Sequence, residues 1–278
     1  MSFSADWLTQ REPFDRQARN PKVLRRVIAA LSGRRSITIV DLACGTGAML
    51  RALGPHLPMH QSWRLFDNDL SLLARVPPAA NVQAQPLDLV SDLEGALDGP
   101  VDLVTTSALL DLVSDIWLKR LITEVAAHRL PFYACLSYDG RIDFAPGDAS
   151  DAAIIAAVNA HQRTDKGFGP ALGPMAARTA VEYLETVGYV VEAGAADWVL
   201  READLAMQEA TLSGWAAAAA ETGELSTGAV AEWLATRRTM LRTKRSTIRI
   251  GHVDLFAMPT DARRLERSQS NSTSSPSR

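Results

Sequence analysis

The residues of this chain best placed to do chemistry are carboxylates that end apolar runs. Residues 37–47 read Ile-Thr-Ile-Val-Asp-Leu-Ala-Cys-Gly-Thr-Gly, a buried-strand pattern that stops at Asp41 and turns on Gly45 and Gly47. Glycines in a strand-to-helix turn let a ligand approach backbone that a Cβ would shield. That is the pattern of a site for a nucleoside-bearing cofactor. A dinucleotide fingerprint would need a third glycine three positions after the second, and that position is Leu50. Asp41 at the strand end would repel a pyrophosphate and suits a ligand that carries an ammonium or sulfonium group.

Later segments repeat the theme in order. Residues 63–67, Trp-Arg-Leu-Phe-Asp, form a short apolar run ending in Asp67, 26 residues after Asp41. Residues 82–87 lead into Asp88-Leu89, and residues 101–110 read as a further strand and loop through Thr105, Thr106 and Ser107. With these in place, Asp41-Leu42-Ala43-Cys44-Gly45-Thr46-Gly47 resembles motif I of the class I S-adenosylmethionine-dependent methyltransferases. The resemblance covers about residues 36–140 well and the remainder in outline. It implies an α/β fold with a Rossmann-like sheet, mostly parallel and closed by an antiparallel hairpin, with helical insertions and an N-terminal helical preface. It implies S-adenosylmethionine as cofactor and S-adenosylhomocysteine as product. Within that frame Asp41 lies near the amino-acid end of the cofactor, and Ala43, Gly45 and Gly47 allow its approach. Asp67, with Asn68 beside it, holds the ribose hydroxyls; Asp88 and the Leu89 backbone read adenine; Thr106 and Ser107 lie beside the methyl group. Asp69 reads as the cap of a short helix over 70–75.

Elements that must position these residues follow from periodicity. Residues 1–35 form an N-terminal helical cap: Asn20 and Pro21 start a helix whose Val23, Leu24, Val27, Ile28 and Leu31 follow a 3.6 period. The mixed segment 6–19 ahead of it, with Leu8, Arg11, Asp15 and Arg19, is either a surface helix with internal salt bridges or, as in the family it resembles, a cover for cofactor and acceptor. The resemblance implies a methyltransferase domain over residues 36–260, with a lid insertion at about 145–173 and a helical insertion at about 201–246. A helix over 111–129 precedes a fifth strand over 132–137. Tyr138-Asp139-Gly140 then reads as a turn, with a new strand over 141–144. Strands at 189–192, 198–200 and 247–258 close the sheet. The tail 261–278 is Ser/Arg/Asn-rich with almost nothing apolar, and disorder is expected there.

Three residues are candidates for contacting or deprotonating a methyl acceptor, in falling order: His161, Asp111 and Asp139. His161 shares a helix face with Ile154 and Val158, so it should point into the protein, and a neutral imidazole is a suitable general base. Arg163 and Lys166 read as solvated charges paired with Asp165, a reading that an anionic acceptor would change. The expected reaction is in-line transfer of the sulfonium methyl to oxygen or nitrogen of a small molecule. Alternatives are methylation of RNA or protein docked through the basic helix end 237–245, and a non-catalytic cofactor-binding scaffold. The Asn/Asp-Pro-Pro-Tyr/Phe sequence typical of base-amino and glutamine methylation is absent after residue 104, where Thr-Thr-Ser-Ala-Leu-Leu stands. Nucleic acid is therefore disfavoured, as the net charge of −3 and pI near 6.0 also indicate. Cys44 and Cys135, the two cysteines, are expected as packed thiols, and no Cys/His cluster calls for a metal. A cytoplasmic protein without membrane association, able to form a homodimer, completes the expectation.

Overall fold

Asp41 ends a strand that is buried because the sheet extends on both sides of it. In the computed structural model, which describes residues 4–260, β1 (Ser36–Leu42) pairs in parallel with β2 (His60–Asp67) on one side and β4 (Leu103–Ser107) on the other. Next to β2 lies β3 (Val82–Pro86), and next to β4 lies β5 (Phe132–Ala145), both again parallel. The last long strand, β8 (Thr247–Pro259), runs antiparallel between β5 and β6 (Tyr189–Ala195), while the short β7 (Trp198–Leu200) pairs with the start of β8. The order β3-β2-β1-β4-β5-β8-β6 is a Rossmann-like, mostly parallel sheet closed by an antiparallel hairpin. The expected tail 261–278 lies outside the described residues.

Near-continuous apolar strands require helices on both faces. One face carries α2 (Pro21–Leu31), which lies over β6 and β8, and α3 (Ala48–Leu53); their Val23, Val27, Leu31, Met49 and Leu53 share one buried cluster with Ile37, Ile39, Trp63, Leu65 and Phe256. The other carries α5 (Leu93–Leu97), α6 (Asp115–Ala127) and α8 (Ala176–Thr186), with Leu93, Trp117, Leu121, Val125 and Leu184 in the core. Local signals act as expected at the starts: the Asn20 side chain accepts from Lys22 N and Val23 N, and Asp69 caps α4 (Leu70–Leu73) by accepting from Ser71 N.

The region after β4 departs from the sequence reading at one point. Residues 138–140 do not reverse the chain: β5 runs through them to Ala145, with register shifts against β8 between Ala134 and Ser137 and again between Tyr138 and Ile142. These are bulges: β5 carries one extra residue in the first and two in the second. Leu136 sits at φ +56, and its N–H is captured by the Asp254 carboxylate at 2.9 Å, whose other oxygen holds Asn20 N at 2.9 Å. The second bulge fits because β8 carries glycine opposite: a Cβ at Gly251 would overlap the Asp139 carboxylate. A dipeptide that favours hairpin turns is thus absorbed in a strand, because the long partner strand offers pairing on both sides of it.

The two insertions pack on each other. The helix α7 (Asp151–His161) lies against α9 (Leu205–Thr222), which in turn packs on α10 (Thr227–Arg242). Arg237 of α10 is fully buried; its guanidinium pairs with Asp151, stacks over Phe144 at 4.0 Å and donates to Pro146 O at 2.8 Å. Trp233 Nε1 donates to the same carboxylate at 2.9 Å. Arg238 pairs with Glu209 at 2.5 Å. Two of the cations read as a docking cluster are therefore spent on holding the insertions together.

Candidate functional site

The turn after β1 is held open by backbone geometry that few residue types accept. Ala43, Gly45 and Gly47 have φ of +54, +53 and +80, and Gly47 is the N-cap of α3. Its neighbour across the sheet is the end of β2. Gly45 N donates to Asp67 Oδ2 at 2.8 Å, Asp69 N donates to Asp67 Oδ1 at 3.0 Å, and Cys44 N donates to Phe66 O at 2.9 Å. A carboxylate offers about four acceptor positions, so Asp67 braces the turn and keeps capacity for hydroxyl donors from a ligand.

Asp41 is buried, and its Oδ1 accepts from Thr105 Oγ1 at 2.8 Å. Burial pushes its carboxyl up to about 7, against the pull of Thr105 and of buried Arg19, with Asp67 adding to the rise. Arg19 itself donates to Tyr133 Oη and Cys135 Sγ, both at 3.0 Å, beneath the turn. Asp88 caps the loop beyond β3, accepting from Val90 N at 3.0 Å and Ser91 Oγ at 2.9 Å. Leu89 O accepts from Trp117 Nε1 at 2.8 Å.

These residues surround one cavity of about 860 Å³ at the carboxyl ends of β1, β2 and β4, where open α/β sheets bind ligands. Asp41, Ala43, Gly45, Asp67, Asn68, Asp88, Leu89 and Ser107 line it. Two expected cofactor residues stand behind the wall: Gly47 caps α3, and Thr106, fully buried, gives its hydroxyl to Leu42 O at 2.9 Å. Their nearest contribution is to the shape of the turn.

The helix α1 (Ala5–Ala18) supplies a wall that the sequence left open between two readings. Leu8 lies so close over Gly45 that a Cβ there would meet its Cδ1 at 3.1 Å. Arg51 ties α1 to the turn: it pairs with Glu12 at 2.6 Å and donates to the backbone oxygen and the hydroxyl of Thr46. Further along, Arg11 and Asp15 form a buried bidentate pair at 3.0 to 3.3 Å, with Arg11 over the Trp198 ring at 5.0 Å and Trp198 Nε1 on Asp15 at 3.1 Å. Leu8, Arg11 and Asp15 all face the cavity. Internal salt bridging and covering the site are here the same arrangement.

None of the three candidate acceptor-side residues is in the cavity wall. Asp111 comes nearest, in the 3-10 turn Leu110–Leu112, where its neighbours Leu109 and Leu112 line the cavity. Its Oδ1 is buried with no hydrogen-bond partner among the described residues. Burial lifts its carboxyl to about 6, opposed by its own N–H, that of Tyr138 and Arg11. Asp139 belongs to a surface cluster in which Arg141 bridges it to Asp197. His161 is buried but engaged on both nitrogens: Nε2 lies 2.9 Å from Glu221 Oε2 and Nδ1 lies 3.4 Å from Lys166 Nζ.

Lys166 itself does line the cavity, with Gly167 and Phe168. The sequence paired it with Asp165 in solvent. Instead Asp165 Oδ1 accepts from Gly167 N at 2.7 Å and Gly169 N at 3.0 Å, closing a turn with both glycines at positive φ, which turns Lys166 inward. Phe168 packs edge-on against Trp117 at 5.1 Å. The legible signal was the aromatic between two glycines.

No protein-family model and no curated protein matches the chain. Among solved structures it is similar to an S-adenosylmethionine-dependent methyltransferase from Thiobacillus denitrificans in complex with S-adenosyl-L-homocysteine: identity is 16%, 92% of this chain and 99% of that one are covered, and the TM-score is 0.46. A second such enzyme, from Geobacter sulfurreducens, has 14% identity over 87% of this chain and 92% of that one, with a TM-score of 0.46. The YcgJ protein of Bacillus subtilis has 13% identity over 87% of this chain and all of that one, with a TM-score of 0.49.

Proposed function

We propose that the chain is an S-adenosylmethionine-dependent methyltransferase acting on oxygen or nitrogen of a small molecule. The observation that carries this reading is the convergence of Asp41, the Gly45 turn braced by Asp67, and Asp88 on one cavity. At about 860 Å³ the cavity is in the range of ligand sites, about 300–1,000 Å³, with room for a nucleoside cofactor beside a small acceptor. The donor set suits the group. Asp67 and Asp88 offer acceptors to hydroxyl and amino hydrogens, and Asp41 offers negative charge to an ammonium.

The cofactor supplies an activated methyl group on a sulfonium centre. What the chain supplies is alignment and exclusion of water, a positioning effect worth about 7–11 kcal/mol in favourable cases. The Gly45 turn and Asp67 fix one reactant, and Ser107, Leu109 and Leu112 wall the space beside it. Leu8, over Gly45, and Phe168 also line it. Of the three acceptor-side candidates, Asp111 stands nearest the cavity, behind the wall residues Leu109 and Leu112; its Oδ1 has no partner among the described residues and burial lifts its carboxyl to about 6. It is therefore the one we propose takes up the acceptor's proton once the acceptor reaches past that turn. His161 acts through Lys166, and Asp139 is held at the surface.

Docking of RNA on 237–245 is weakened by the burial of Arg237 and the pairing of Arg238. The test is transfer of labelled methyl from S-adenosylmethionine into a metabolite extract, total RNA and total protein offered separately. Label in the metabolite fraction is expected, and Asp111→Asn should lower it by about 10²-fold or more, as loss of a general base does. Label only in RNA or protein would overturn the acceptor class, and cofactor binding without label anywhere would favour a scaffold.

A further inference from the structure

The cavity wall has two cations that differ in how they are partnered. Arg11 is neutralised by its bidentate carboxylate, Asp15. Lys166, equally enclosed at 8% exposure, has no carboxylate within salt-bridge distance among the described residues. Its ammonium donates to Thr164 Oγ1 at 2.8 Å and to His161 Nδ1 at 3.4 Å, two of the three N–H bonds it carries. Thr164 Oγ1 is in turn anchored on His161 O at 2.8 Å. An imidazole with its proton on Nε2 satisfies both of its contacts: that N–H donates to Glu221, and the Nδ1 lone pair faces the lysine.

We infer that Lys166 binds an oxyanion, carboxylate or phosphate, carried by the methyl acceptor, and that Glu221 and His161 are the residues that position it. The inference rests on the methyltransferase reading and adds the chemical class of its acceptor. Place in the cavity separates this anion from the cofactor. Lys166 is mounted on the loop that packs on the β4 exit through Phe168 and Trp117, and through Leu172 N on Val113 O at 2.8 Å, whereas Asp41 and the Gly45 turn lie on the motif I wall. A buried ammonium short of partners is costly, and an anion in the cavity supplies the missing one. Burial lowers the pKa of Lys166, with Glu221 opposing it across the histidine. The arrangement also gives the helical insertion a role, since Glu221 stands on the last turn of α9.

The experiment is ligand-observed NMR titration of inorganic phosphate and of acetate into the protein saturated with S-adenosylhomocysteine. Saturable binding of at least one anion is expected, and whichever binds tighter identifies phosphate or carboxylate. Lys166→Met should weaken it about tenfold, the worth of one charged hydrogen bond, with S-adenosylhomocysteine affinity held within about twofold. Glu221→Gln, at an exposed side chain outside the cavity, should weaken it about threefold through misplacement of the lysine and leaves the test standing if Lys166→Met does not fold. No anion binding to the loaded protein, or binding unchanged in both variants, would overturn the proposal. So would a loss of S-adenosylhomocysteine affinity in Lys166→Met that spares methylthioadenosine, because the anion would then be the cofactor's own carboxylate. Failure of the wild-type protein to bind S-adenosylhomocysteine at all would instead overturn the methyltransferase reading.

Discussion

Asp41 is a buried carboxylate whose charge depends on what it faces. Because burial lifts its pKa to about 7, the neutral form dominates in the empty protein below that pH and the ionised form above it. A ligand bearing an ammonium favours the ionised form. Affinity for S-adenosylmethionine should therefore rise as pH increases from about 6 to about 8, and Asp41→Asn should flatten the profile while lowering it. Calorimetry across that range checks this, with methylthioadenosine, which lacks the ammonium, expected to show little pH dependence. Asp67→Ala should weaken cofactor binding by about tenfold or more, since it removes a charged acceptor and releases Gly45 N and Asp69 N together. These acids were legible in the sequence because each ends an apolar run, and a strand end fixes where its side chain emerges. Lys166 was not, because its direction is set by which N–H groups Asp165 captures, and an adjacent carboxylate reads equally well as its partner.

At the scale of elements, α1 is coupled to the Gly45 turn by one arginine. Arg51 holds Glu12 on one side and Thr46 on the other, so α1 and the turn should order together. Arg51→Ala is expected to speed proteolytic cleavage within 4–19, and S-adenosylhomocysteine should slow that cleavage less in the variant than in the wild type. Limited proteolysis with and without the ligand measures it: equal cleavage in wild type and variant would break the link. The insertions hang on a different arginine. Arg237→Met leaves Asp151 buried without its cation, and a loss of about 3–5 kcal/mol is expected in denaturant unfolding. Helices α2, α6 and α7 were visible in the 3.6-residue spacing of their core residues. The continuity of β5 was not, since Asp139-Gly140 favours a hairpin locally and only the glycine at position 251 in a distant strand makes the bulge possible.

For the molecule as a whole, the parallel strands of an eight-stranded sheet present their carboxyl ends to one cavity, and two separate segments close over that edge. The sheet half of the cavity follows from the first 110 residues, where strand and helix alternate at regular spacing. The closing half comes from α1 and the loop 162–172, backed by a helical insertion that starts about 150 residues after the Gly45 turn in sequence. Tertiary contacts of that kind leave no periodic trace. Among the described residues no helix is long and apolar enough to cross a membrane, and the buried Arg237 removes the most basic stretch of the chain from the surface as a continuous patch. The most direct measurement is calorimetric titration of the purified protein with S-adenosylmethionine and S-adenosylhomocysteine, with NAD alongside. Binding of both sulfur ligands at about micromolar Kd, without NAD binding, is predicted; binding of neither, or of NAD in their place, would contradict it.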